Sequence, residues 1–187
     1  MLTNTIFEGA LDQLIDVATR FSAVLSGAGI SCRIIGGLGV FLHVEKVDPL
    51  AARLTRDVDV AINRERLDAI IAAVEPHGFK YRHVAGVDMF VDAKSPAARS
   101  AVHVIFVGEK VRDDDIETVP SSPPVSSKHN ILIAPVADLV HMKLTSFRLK
   151  DKVHIQDLDG VGLITPEIEV GLSEPLRQRP AEVRATE

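Results

Sequence analysis

Ile34-Ile35-Gly36-Gly37-Leu38-Gly39-Val40 and, past an intervening loop, Leu54-Thr55-Arg56-Asp57-Val58-Asp59-Val60 carry the clearest structural signals in the chain. The first opens in an apolar run, Cys32 to Ile35, that predicts a buried strand and runs into a pair of glycines. Such a pair lets the backbone turn tightly and leaves its amides uncovered. Leu38 to Val44 is compatible with a helix, so those amides would stand at a helix N-terminus, a ready site for phosphate. Asp57-Val58-Asp59-Val60 alternates polar and apolar residues and predicts a strand. A period of two places both carboxylates on one face, where they can share a divalent cation.

On the N-terminal side, Phe7, Leu11, Leu14, Ile15, Ala18, Phe21 and Leu25 recur at helical spacing and predict an amphipathic helix ending near Gly27 and Gly29. On the C-terminal side, Arg64 to Glu75 reads as a helix with Leu67, Ile70, Ile71 and Val74 inward, stopped by Pro76 and Gly78. Three strands follow, Phe79–Val84, Val87–Val91 and Ala101–Val107. Gly86 turns the first pair and a polar loop, Asp92–Ser100, joins the second. Gly108 to Asn130 is a loop rich in Asp, Ser and Pro. Its Asp113-Asp114-Asp115 run is expected to be solvated, because adjacent carboxylates point in different directions. A last strand, Asn130–Ala134, precedes a helix starting at Pro135, with Asp138 near its positive end. Leu149 to Leu158 continues as helix, and Thr165-Pro166-Glu167 opens another.

These elements predict an α+β chain: a sheet core over about 30–134, C-terminal helices over about 135–172, and a frayed polar tail over 173–187. The 187 residues fit one domain with no convincing linker. A composition of 46% hydrophobic and 25% charged residues excludes a chain disordered throughout. A net charge of -5 argues against coating nucleic acid by bulk electrostatics. Cys32 is the one cysteine, which excludes an internal disulfide and a thiolate zinc cluster; a small core residue is the expectation. Glu8, Asp12 and Asp16 interrupt any N-terminal apolar core, and no apolar run approaches the roughly 20 residues that span a bilayer. The expectation is a cytoplasmic protein without a membrane partner.

The glycine pair Gly36-Gly37, the strand Thr55-Arg56-Asp57-Val58-Asp59, Lys143, and Arg148-Leu149-Lys150-Asp151 form an ordered set. It resembles the nucleotidyltransferases of the polymerase-β superfamily, and among them the small bacterial enzymes related to AbiEii toxins of toxin–antitoxin systems. The resemblance covers roughly residues 30–160. It implies a mixed-sheet nucleotidyltransferase core and an active site with two metal ions, Mg2+ or Mn2+, held by Asp57 and Asp59. Gly36 and Gly37 would cradle the β- and γ-phosphates of an NTP, with Thr55 and Arg56 in the nucleotide-binding motif. Lys143 would neutralise the leaving pyrophosphate, supported by Arg148 and Lys150. Asp151 would orient these cations or activate the acceptor. The implied reaction moves an NMP to a hydroxyl of RNA, such as a tRNA end, or of a protein. An antitoxin would be the partner of a toxin member. Read without the family, Lys143 is a snorkelling lysine beside an apolar helix face, and Arg148, Lys150 and Asp151 are salt bridges within one helix.

One position departs from the pattern. Where the superfamily places a third carboxylate, Ala101-Val102-His103-Val104-Ile105-Phe106 carries a histidine. As a metal ligand His103 would suit Mn2+, Ni2+ or Zn2+ better than Mg2+; otherwise it is a histidine hydrogen-bonded in a sheet. Asp88 or Asp92 on the preceding strand is a candidate for the missing carboxylate. The alternatives are an active enzyme with an altered third position and a nucleotidyltransferase-fold binding module that has lost turnover.

Overall fold

In the computed structural model, which describes residues 2–94 and 101–186 and side chains from residue 9 onward, Leu14, Val17, Ala18, Phe21 and Leu25 form the buried stripe of helix α1 (Leu2–Gly27). The Phe7 side chain and residues 95–100 of the predicted polar loop lie outside what is described. Gly29, at φ +66°, turns the chain out of α1 towards the sheet.

Seven strands form one mixed sheet: β1 (Arg33–Ile35), β2 (Val58–Ile62), β3 (Phe79–Val84), β4 (Val87–Asp92), β5 (Val102–Phe106), β6 (Val125–Ser126) and β7 (Leu132–Ile133). Their order is β3-β4-β5-β2-β1-β7-β6. β2 runs parallel to β5, and β1 parallel to β7; the other neighbours are antiparallel. The architecture is α+β, as the order of elements predicts. β3 and β4 are closed by Ala85 and Gly86, at φ 51° and 77°, the paired positive values of a two-residue hairpin turn.

Strand periodicity divides the sheet into two faces. Val58, Val60 and Ile62 of β2 and Val102, Val104 and Phe106 of β5 point to one face, joined by Phe79 and Phe90. That face packs against α1 and against Ile70 and Val74 of α3 (Leu67–Val74). Phe21 is central there, its ring centroid 5.3 Å from Phe79 and 5.2 Å from Phe90; replacing such a buried ring by Ala costs about 3–5 kcal/mol. Ile35 and Ala61 point to the other face, under α2 (Gly36–Val47), α4 (Val136–Ser146) and α5 (Leu149–Gly160). The candidate site lies on this second face.

Several expectations need correction. β2 begins at Val58, so Asp57 precedes the strand, just after a bend at Arg56, and the period-two rule reaches Asp59 only. The predicted helix Arg64–Glu75 is α3 flanked by 3-10 turns at Arg64–Arg66 and Glu75–His77. The loop after Gly108 is anchored: Asp138 accepts hydrogen bonds from the Ser122 backbone N–H at 3.2 Å and hydroxyl at 2.6 Å, and Arg33 donates to the Ser122 carbonyl. Asp115 is buried instead of solvated, its carboxylate accepting the Arg112 N–H at 3.0 Å. The C-terminal segment is not frayed over 173–186. Leu176, Pro180 and Val183, at helical spacing, bury an apolar stripe on the second core, the last two from helix α7 (Arg179–Arg184). Arg184 also pairs with Asp159 at 2.7 Å and with Glu169 at 2.6 Å, the latter on α6 (Pro166–Gly171).

Candidate active site

The site begins where β1 becomes α2. Ile35 is extended at the N-cap and offers no side-chain hydrogen bond, so the first amides of α2 are left for a ligand. Gly36 has φ +66°, and a Cβ there would overlap the Asp59 carboxylate. A Cβ on Gly37 would stand 2.5 Å from Thr55 Oγ1 and 3.5 Å from His154 Nε2. Both glycines are therefore required by close approach. The antiparallel pairing of β1 with β2 aligns Ile35 with Asp59 and so sets the carboxylate against the turn.

The cations arrive on α4 and at the start of α5. Lys143 is 7% exposed, and its Nζ donates to Asp151 Oδ1 at 3.0 Å. Ser146 Oγ and Arg148 Nε each donate to Asp151 Oδ2 at 2.7 Å. Burial pushes the Asp151 pKa up, but the Arg148 hydrogen bond, the Lys143 charge and the Ser146 hydroxyl outweigh it and hold the carboxyl well below its ordinary range. Burial lowers the Lys143 pKa against the attraction of Asp151. Asp151 has no exposed surface, and its contacts hold Lys143 and Arg148 in place. The helices reverse at Phe147, which adopts φ 47°, a left-handed conformation rarely taken by a bulky residue. Arg179 of α7 stacks over its ring at 4.7 Å and donates to the carbonyls of Leu144 and Thr145.

These groups share one cavity of about 430 Å3. Gly36, Gly37, Thr55, Arg56, Asp57 and Asp59 line it. Lys143, Arg148, Lys150 and His154 line it as well. The anchored loop contributes Arg112, Asp115 and Glu117, with Glu117 fixed by His141 at 2.7 Å and by Ser173. Reading the sequence missed Arg112, Glu117 and His154, and set Asp115 aside as solvated. His154 could have been found, because it lies three residues beyond Asp151 on a helix and shares its face.

His103 is not on the cavity wall. The parallel pairing of β2 with β5 puts it opposite Asp59, with Nδ1 3.6 Å from Asp59 Oδ1. The Asp59 carboxylate raises the His103 pKa, against the opposing effect of burial. Among the described residues no three His, Cys, Asp or Glu side chains stand together as a ready metal-ligand set. Asp88 and Asp92 do not supply the missing carboxylate, because they share the parity of Phe90 and face the other core. Asp88 accepts from Tyr81 at 2.5 Å and bonds His83 at 2.7 Å, and Asp92 is fully buried against Arg20.

An uncapped helix start, cationic side chains and two carboxylates thus line one cavity, and donors of these kinds suit a polyanion together with a cation. In fold the chain is similar to nucleotidyltransferases. The crystal structure of ANT(2'')-Ia in complex with adenylyl-2''-tobramycin superposes with a TM-score of 0.57 at 14% identity, over 92% of this chain and 97% of that one. The solution structure of the same antibiotic-resistance factor gives 0.56 at 12% identity, over 92% and 93%. An antigenic nucleotidyltransferase-like protein from Paracoccidioides brasiliensis gives 0.60 at 16% identity, over 95% and 89%. At these identities the likeness is one of fold. No protein-family model and no curated protein matches the chain. No helix among the described residues is long and apolar enough to cross a membrane.

Proposed function

We propose that this protein is a nucleotidyltransferase that moves an NMP group from an NTP to an acceptor hydroxyl. One observation carries the reading: the α2 glycine turn, Asp57 and Asp59, and the Lys143–Arg148–Lys150 cations all line the same cavity. The acceptor oxygen attacks the α-phosphorus, the bond to pyrophosphate breaks, and the hydroxyl proton leaves to a base. The α2 amides and the three cations hold the phosphates. Lys143, kept in place by Asp151, meets the charge that grows on the departing pyrophosphate. Asp57 and Asp59 are hard oxygen donors and suit Mg2+ or Mn2+. When bound there, such an ion would neutralise phosphate charge and act as a Lewis acid.

The motif likeness to AbiEii-type toxins favours an RNA end or a protein side chain as acceptor and an antitoxin as partner. A second reading, a small cationic acceptor, is favoured by Asp115 and Glu117 on the cavity wall and by the tobramycin adduct of ANT(2'')-Ia. The test incubates the chain with each α-labelled NTP, Mg2+ or Mn2+, and RNA, protein or aminoglycoside acceptors in turn. Label should pass to one class of acceptor and not do so with Asp59→Asn. NTP binding without transfer to any class would favour a binding module.

A further inference from the structure

Asp151 and His154 lie three residues apart on one face of α5, but their surroundings differ. Asp151 is consumed by Lys143, Ser146 and Arg148, whereas His154 faces the cavity. Its Nε2 lies 3.5 Å from the point where a Cβ of Gly37 would stand, and Thr55 Oγ1 lies 2.5 Å from that same point. A helix start, a hydroxyl and an imidazole nitrogen thus converge on one spot of the cavity wall. The other ring nitrogen, Nδ1, is buried and has no hydrogen-bond partner among the described residues.

We infer that His154 is a further phosphate-contacting residue, donating its Nε2–H to an oxygen of a polyphosphate seated over Gly37. The inference rests on the nucleotide reading of the cavity. A neutral imidazole carries one N–H, and burying that N–H unpaired is harder to accommodate than burying an unpaired acceptor nitrogen. The tautomer with the proton on Nε2 is therefore preferred, and it aims the donor at the cavity. Burial first, and then the Lys143 charge with help from Lys150 and Arg148, lower the ring's pKa to about 4 against the attraction of Asp151. At neutral pH His154 is an uncharged donor. It adds a directed hydrogen bond to a phosphate oxygen without adding a further positive charge to a cavity already lined by Arg56, Arg112, Lys143, Arg148 and Lys150.

Calorimetry with inorganic tripolyphosphate and with ATP, on the full chain, tests the assignment with two variants. His154→Leu should lose about ten-fold in affinity for both probes, the scale of one hydrogen bond to an anion. His154→Gln, whose amide also donates, should recover most of that loss, which a merely structural role would not predict. Unchanged binding by His154→Leu, or equal losses by both variants with equal drops in melting temperature, overturns the assignment. If binding survives His154→Leu but is lost in Lys143→Met, His154 alone is misassigned. If the folded parent binds neither probe, the nucleotide reading falls as well.

Discussion

The Lys143 ammonium stands 3.0 Å from the carboxylate of Asp151, which has no exposed surface. The two buried charges are unequal in support, since Asp151 also receives Ser146 and Arg148. Removing Asp151 strands a buried cation, so Asp151→Ala should cost about 3–5 kcal/mol. Lys143→Met leaves Asp151 two partners and should cost less, while weakening triphosphate binding more than monophosphate binding. Urea unfolding and calorimetry measure the two effects; equal stability losses would show that Ser146 and Arg148 do not sustain Asp151.

His154 makes stability depend on pH. Its folded pKa, about 4, lies below the ordinary value of 6.5, so the unfolded chain takes up the proton first. Stability is full above about pH 6.5 and falls as pH drops through the folded value. Asp151 has the same sign in a lower window: its stabilisation is present above the ordinary carboxyl pKa and is lost as pH falls below it. Urea midpoints between pH 7.5 and 4 should decline less for His154→Gln than for the parent. Parallel curves would remove His154 as the source.

Gly36→Ala places a Cβ on the Asp59 carboxylate at a positive φ. Backbone strain alone costs about 1 kcal/mol, and displacement of Asp59 adds to it. Gly37→Ala meets the Thr55 hydroxyl, which can rotate away, so its melting temperature should fall less than that of Gly36→Ala. Both should bind NTP poorly. Parent-like affinity in Gly37→Ala would detach the helix start from the phosphates.

His103→Asp puts a second carboxylate beside Asp59 in place of an imidazole whose Nδ1 stands 3.6 Å from Asp59 Oδ1. Without metal the variant should melt below the parent through like-charge repulsion, and Mg2+ should raise its melting temperature more than it raises the parent's. Thermal shifts with and without Mg2+ decide it. An equal response in both proteins would place His103 away from any cation held by Asp59.

Arg179 braces the turn from which Lys143 and Arg148 project, through the Leu144 and Thr145 carbonyls and the Phe147 ring. Arg179→Ala should cost about 1–3 kcal/mol and also weaken NTP binding, although Arg179 does not line the cavity. Lowered stability with unchanged affinity would confine α7 to a packing role.

The site was legible in sequence where its signals are local. The glycine pair after an apolar run and the Thr55–Asp59 segment could be placed because turns and strand faces follow from neighbours in the chain. The α1 stripe and the Gly86 turn were readable for the same reason. Lys143, Arg148 and Lys150 entered instead through the motif resemblance, since read alone they are a snorkelling lysine and salt bridges within one helix. What periodicity leaves open is which partner each face meets. Asp88 and Asp92 share a side with Phe90, but only the packing of α1 against that side removes them from the site. Asp115 and the segment around Leu176 and Val183 look like polar chain until α4, α5 and the second core cover them. His154 acquires a role only because α5 packs across α2 and carries its ring to Gly37. Those contacts join residues far apart in the chain, and burial of apolar surface between whole elements selects them, a quantity no single stretch of sequence contains.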